Sequence, residues 1–306
     1  MPKPKYGKPI LTLEQQADKM LGRGLQGITK EELIQHLRVI NYYRIRGYTY
    51  PYQNNKQDDE PFKNNITWQM IWNDYCFDKK LRSVIFEAIG TIEIALRTQM
   101  EYEMSSEQNS AAWYELKYLF HSETNWEADK KELYSNWKKS KEVFKKHYIN
   151  KYDESVPPPS WMIFETTTFG NLSKFYQNIA NNVKAKFAIS NFFGFSKAAT
   201  PIFESWLQHL TYIRNICAHH GRLYSREQII RPKIPKHWEK LIGNANRIYI
   251  SICIISSLLK HIYPKSDFNK KILQLIKILR KQQYPTIGLP NQWKPQYLKA
   301  MTTMPI

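Results

Sequence analysis

Apolar residues along most of this chain return every three or four positions. Phe203, Trp206, Leu207, Leu210 and Ile213 follow i, i+3, i+4, i+7 and i+10, and that spacing predicts a helix over 203–217. Trp68, Ile71, Trp72, Tyr75, Leu81, Ile85, Ala88, Ile89, Ile92, Ala95 and Leu96 predict a long amphipathic helix from Thr67 to about Met104, with a break near Phe77-Asp78. Near the start, Thr12 with Gln15 three positions later has the form of a capping box. Gly22, Gly24 and Gly27 end that helix, and Thr29-Lys30-Glu31-Glu32 opens the next. Pro157-Pro158-Pro159 stops a highly charged stretch over 122–154, whose apolar stripe is weak. Helical regions are expected over 160–175, with Gly170 as a break or close contact, over 187–195, over 238–263 and over 269–282. Only 41–52, dense in aromatics, reads as a strand or an irregular turn, and 53–65 reads as an exposed loop. The fold class expected is mostly α, a helical bundle with N-terminal and C-terminal extensions and little strand. Its organisation is expected to be an aromatic-rich extension over 1–65, a helical core over 66–264, and a basic helix and tail over 265–306.

Charge sharpens this picture. The chain of 306 residues has 45 Lys+Arg against 27 Asp+Glu, a formal net charge of +18. The excess is uneven. Residues 201–306 hold 17 basic residues against four acids (Glu204, Glu227, Glu239, Asp267). Such asymmetry points to a polyanion, with nucleic acid ahead of an acidic membrane surface. Tyr and Trp interleave with Arg and Lys, which suits stacking on unpaired bases. With 14 Phe, 20 Tyr and 9 Trp the chain has ample surface to bury, which argues against disorder. The longest uncharged apolar run, Ile248 to Leu259, is too short to span a bilayer. No apolar segment follows the basic N-terminus, so a signal peptide is not expected. Cys76, Cys217 and Cys253 are widely spaced and odd in number, as expected of a reducing cytoplasm and of no structural metal site.

The chemistry concentrates in Tyr212-Ile213-Arg214-Asn215-Ile216-Cys217-Ala218-His219-His220-Gly221-Arg222. A packed core helix gains nothing from an Arg, an Asn, two His and a second Arg, since each costs free energy if buried unpartnered. Histidine gives and takes protons near neutral pH. Arginine offers a fixed fork of donors for phosphate oxygens. Together they suit metal-free RNA cleavage by the RNA's own 2′-OH. The same residues also suit a helix end, with a His near the last carbonyls and an Arg in an ion pair. Five residues separate Arg214 from His219, a rotation of about 140° on an ideal helix, so the two do not share a face. A helix end near Cys217, a distortion, or a two-fold dimer that pairs two copies of the segment would each resolve this. Gly221 favours a nearby helix end.

Arg214-Asn215-Ile216-Cys217-Ala218-His219 matches the R-[N/D/H]-x-x-x-H signature of HEPN-type ribonucleases. The chain as a whole resembles the bacterial abortive-infection (Abi) family of the Abi-D/Abi-F type over roughly 8–295. The resemblance is carried by Lys8-Pro9-Ile10-Leu11-Thr12, Asn41-Tyr42-Tyr43-Arg44 with Gly47-Tyr48, and Ile92-Glu93-Ile94-Ala95-Leu96-Arg97-Thr98. Pro158-Pro159-Ser160-Trp161-Met162, Phe169-Gly170-Asn171-Leu172-Ser173, and Trp206-Leu207 leading into Arg214 to His220 continue it. It implies a HEPN-like helical core, a role in phage defence, RNA as substrate or partner, and toxins restrained by a partner that is a small structured RNA.

The expected site has Arg214 and His219 as catalytic residues and Asn215 and His220 in support. Arg222, Arg226, Arg97, Arg44 and Arg46 are the expected RNA contacts. No cofactor and no metal are expected, and the chain is expected to form a homodimer off the membrane. The rival reading is a non-catalytic protein that holds a structured small noncoding RNA. Glu93 and Arg97 have the spacing of an intrahelical ion pair, with Glu93 reaching the motif as the alternative. His209 is expected at the boundary between core and surface. No Walker-type glycine loop, HExxH, G-x-S-x-G or dense acidic cluster is present, so ATPase, zinc protease, serine hydrolase and two-metal nuclease readings have no support.

Overall fold

The computed structural model describes residues 7, 9–57, 59–153 and 155–298. Lys8 of the first matched segment and residues 299–306 of the tail lie outside them. The protein is mostly α-helical, and among the described residues no sheet forms, only isolated bridges such as Gln53 with Phe62. The chain divides into two compact units, residues 1–80 and 81–306.

In the first unit, α1 (Leu13–Gly22) and α2 (Lys30–Val39) each begin with a complete capping box, Thr12 with Gln15 and Thr29 with Glu32. The two helices pack together through Ala17, Met20, Leu33 and Leu37. Residues 42–49 form a helix, α3 (Tyr42–Thr49), where a strand or irregular turn was expected. Asn41 caps it, and Ile45, Tyr48 and Thr49 are its buried residues. The aromatic density of the segment masked that i, i+3, i+4 spacing. Helix α4 (Trp68–Gln108) is continuous, with no break at Phe77-Asp78. The buried carboxylates there are hydrogen-bonded by tertiary contacts: the Tyr48 hydroxyl donates to Asp78 Oδ2 at 2.6 Å, and the Tyr52 hydroxyl donates to Asp74 Oδ2 at 2.7 Å.

In the second unit, α4 continues and is followed by α5 (Glu123–Lys139) and α6 (Val143–Lys151). After Pro159 come the short α7 (Ser160–Ile163) and then α8 (Phe169–Asn178). The break expected at Gly170 falls instead at Thr167-Thr168, where the chain is extended and Thr168 caps α8. Gly170 is a close contact: a Cβ there would lie 3.4 Å from Thr211 Cγ2. Helix α9 (Lys184–Phe192) has no side-chain cap of its own. The Glu107 carboxylate of α4 accepts from its Lys184 and Ala185 N–H groups instead. Helix α10 (Thr200–Ala218) carries the motif. The run 238–263 is not one helix: a 3₁₀ segment ends at Leu241, and α11 (Ile248–Ile262) follows. Helices α12 (Phe268–Ile278) and α13 (Tyr284–Ile287) complete the unit.

The core forms around α11, where every residue from Ile248 to Leu259 is buried. A helix that is apolar on all sides belongs at the centre of a domain, and no described helix is long and apolar enough to cross a membrane. Helix α10 packs on α8 and α11. Phe203, Phe193, Phe195, Trp206 and Trp238 stack in one aromatic cluster beside it, and Trp113, Phe164, Phe120 and Phe175 form a second.

His209 lies inside this core rather than at its boundary and is fully buried. Its Nδ1 is 2.7 Å from the Ile230 carbonyl, so Nδ1 carries the proton, and its Nε2 accepts from the Ser251 hydroxyl at 2.8 Å. Burial lowers its pKa from 6.5 to about 4, opposed by the bond to Ile230. The unfolded chain therefore binds this proton first as pH falls. Stability from the neutral ring is complete above pH 6.5 and is lost as pH falls toward 4, by about 3 kcal/mol in all. Urea midpoints of wild type and His209→Gln at pH 7 and pH 4.5 isolate it from the carboxylates. The wild type should fall further than the variant, and equal falls would refute the assignment.

Candidate active site

The motif occupies the last turn of α10 and its C-terminal cap. The helix ends at Ala218, with His219 as the cap residue. The N–H of His220 donates to Cys217 O at 3.0 Å and the N–H of Gly221 donates to Ile216 O at 2.7 Å. These two bonds make a Schellman motif. The position that takes a left-handed backbone in it, usually glycine, is His220, with φ of 55°. A β-carbon in that conformation costs roughly 1–2 kcal/mol. Gly221 follows because a Cβ there would lie 3.0 Å from Ile216 Cγ2 and 3.2 Å from Ile216 O.

Arg214 projects toward α4. Its Nε is 3.7 Å from Glu93 Oε2, and its guanidinium carbon lies 5.9 Å from the centre of the Phe86 ring. Its terminal nitrogens make no hydrogen bond to a described residue, so the fork of donors is unspent. Glu93 also meets Arg97, with Oε1 3.5 Å from Nη2. The intrahelical pair and the reach to the motif are thus both realised by one carboxylate. Burial raises the Glu93 pKa, and Arg214 and Arg97 oppose the rise. Two turns beyond Glu93, Glu101 is pushed up to about 7 by burial and by Glu165, against the pull of Arg97.

His219 is exposed and makes no side-chain hydrogen bond to a described residue. Its backbone stays close to helical, with φ of −90° and ψ of 16°. The angular offset from Arg214 therefore persists: ending the helix does not swing the two side chains together. Asn215 and His220 are exposed beside it.

The expected RNA contacts differ in what their donors meet. Arg97 is buried, and its terminal nitrogens face Glu93, Glu165 Oε2 at 3.4 Å and the Thr167 carbonyl at 3.3 Å. Arg222 donates to the carbonyls of Tyr224 and Ser225 and so braces the loop after α10. In the first unit, Arg46 grips Glu60 through both carboxylate oxygens, at 2.5 and 2.6 Å. Arg226 is half-buried near Gly221, and Arg44 is exposed in the first unit. Phe86, sequence reasoning's omission, is 43% exposed, and one row of α4 continues from it through Gly90, Ile94 (62% exposed) and Thr98 to Tyr102 (65% exposed). The i, i+4 row is legible in the sequence beside the core stripe of the same helix. No group of three His, Cys, Asp or Glu residues among the described residues has the spacing of a metal site.

No curated protein and no solved structure matches the chain. A family model, described as Abi-like protein, matches residues 35–225, from the second helix through the cap of α10. That match spans well over half of the chain and includes Glu93, Arg214 and His219, and the protein therefore belongs to the Abi-like protein family.

Proposed function

We propose that the protein is an abortive-infection endoribonuclease that cuts RNA without a metal ion. Membership of the Abi-like family supports a role in phage defence. One observation carries the nuclease reading: Arg214 is held through Nε by the half-buried Glu93 while its outer nitrogens stay unspent, one and a half turns before an exposed histidine. In the reaction, O2′ attacks the adjacent phosphorus and the P–O5′ bond breaks. A histidine takes the O2′ proton and another gives a proton to O5′, leaving a 2′,3′-cyclic phosphate and a 5′-hydroxyl. Arg214 holds the charged phosphorane oxygens. Asn215 and His220 orient the phosphate, and Arg226 follows the backbone.

Because Arg214 and His219 leave α10 in different directions, one protomer does not supply both beside one phosphate. A second copy of the chain does, if the row Phe86, Gly90, Ile94, Thr98 and Tyr102 packs against its counterpart. The row is continuous with the site, since Phe86 lies under Arg214. The homodimer then contributes two copies of His219, one as base and one as acid.

The strong positive charge of 201–306 favours a second reading, a protein that holds a structured small RNA without turnover. The two separate in one assay. A nuclease cleaves RNA in EDTA, once any co-purified RNA is removed, and leaves cyclic-phosphate ends. A protein that binds the same RNA with no cleavage at any enzyme concentration is a holder, and the nuclease assignment is then lost.

A further inference from the structure

The inward stripe of α5 contains Trp126, Asp129, Leu133 and Trp137, all buried. Three of the four are apolar as a core stripe requires; the second is a carboxylate only 7% exposed. Asp129 makes no hydrogen bond and no ion pair with a described residue. An unpartnered buried carboxylate is costly, and burial raises its pKa to about 6, with Glu132 adding to the rise and Lys174 opposing it. It lines a groove of about 590 Å³ between α5 and α8, together with Asn125, Ala128, Lys174, Gln177 and Asn178.

The groove is held at both ends. The Asn178 amide exchanges two hydrogen bonds with the backbone of Ser122, each 3.0 Å. Lys174 Nζ sits 3.4 Å from Glu132 Oε2. Helices α5 and α8 are thus antiparallel, with Asp129 between the two clasps. The side-chain amides of Asn125 and Gln177 make no hydrogen bond to a described residue and stand exposed at the rim.

We infer that this groove receives one unpaired guanine base of an RNA strand, an inference that rests on RNA being the partner. The Asp129 carboxylate opens on the groove without a donor from any described residue, and a ligand with two N–H groups side by side complements it. Among the four RNA bases only guanine presents that pair, N1–H beside N2–H, on its Watson–Crick edge. Adenine and cytosine set a lone pair against the carboxylate, and uracil sets one N–H between two carbonyls. The amides of Asn125 and Gln177 reach O6 and N7, the Ala128 methyl lies against the ring, and Lys174 faces the adjoining phosphate. Base recognition here would be separate from the cleavage chemistry at α10 and would supply its sequence preference.

The test uses the full-length protein and 2′-O-methylated pentamers, which cannot be cleaved by their own 2′ oxygen. UUGUU should bind about 10–100-fold more tightly than UUAUU, the discrimination typical of one bidentate contact to a base edge. UUIUU, with inosine lacking the N2 amine, should fall between them. Asp129→Asn should abolish the preference and leave UUAUU binding unchanged. Asp129→Leu completes the apolar stripe, so it should raise the melting temperature while removing the preference, which separates a lost ligand group from a lost fold. Equal binding of the three pentamers, or a preference that survives in both variants, overturns the guanine pocket and leaves the RNA reading intact. Binding of no pentamer overturns both.

Discussion

Replacing His219 with alanine should lower RNA cleavage by about 10²–10⁴-fold, the contribution of a general acid or base. RNA affinity and melting temperature should hardly change. The side chain is exposed and bonds to no described residue, and the cap uses only its backbone, whose N–H donates to Asn215 O at 3.0 Å. Arg214→Ala should lose cleavage as well, but its affinity for RNA should also fall, because the proposed mechanism has its outer nitrogens meet phosphate. Arg214→Lys should not restore activity: a lysine has no Nε to lean on Glu93 and no planar fork for two oxygens. The decisive comparison is single-turnover cleavage of one labelled RNA in EDTA, with binding measured in parallel. If His219→Ala cleaves like wild type, the histidine is only a helix cap and the proposed chemistry is wrong.

Removing the Lys186 side chain should destabilise the fold strongly. It is 1% exposed, yet charged. Its Nζ donates to Ile179 O at 2.6 Å and to Asn181 Oδ1 at 3.1 Å, and stands 2.8 Å from Glu204 Oε1. In this way it closes the carbonyl end of α8 and joins it to α10. Lys186→Met keeps the bulk but leaves the Glu204 carboxylate and the Ile179 carbonyl without their partner. Breaking a buried pair from one side costs about 3–5 kcal/mol, which a denaturant titration reads directly. Adding Glu204→Gln should recover part of that loss, because the stranded charge is what costs most. A change below about 1 kcal/mol would place the pair among exposed bridges of little weight.

Helices bounded by local chemistry were legible in the sequence. Thr12 with Gln15 and Thr29 with Glu32 carry their capping information within four residues, and α10 shows its stripe from Phe203 to Ile213. What escaped the sequence was decided by residues far away. Asp78 looked like a helix break until Tyr48 was brought to it, thirty positions distant. Residues 41–52 read as a strand or an irregular turn because aromatic side chains suit strands as well as helices. The end of α11 was legible at Tyr263, but its start was not, since Trp238 and Ile242 are buried outside the helix and continue its apolar run. For the site, the angular offset between Arg214 and His219 is legible in their spacing, and the chemistry proposed for them rests on residue type. The two roles of Glu93, pairing with Arg97 and reaching the motif, are legible as alternatives, and only the folded chain shows one carboxylate serving both; Asp129 is hidden in a stretch whose charge obscures its apolar stripe.

The burial of α11 on every side has a consequence for timing. Helix α10 carries the motif, but its inner face waits for α11: Ser251 supplies the hydroxyl that satisfies His209. On the ribosome, Leu259 is added about forty residues after Ala218, some 2–8 s later at typical rates of synthesis. During that interval the chain already contains Arg214 and His219 but lacks the helix that its core closes upon. The site proposed on α10 would thus become competent only after α11 has been made, and a product that stops before Ile248 should be inactive.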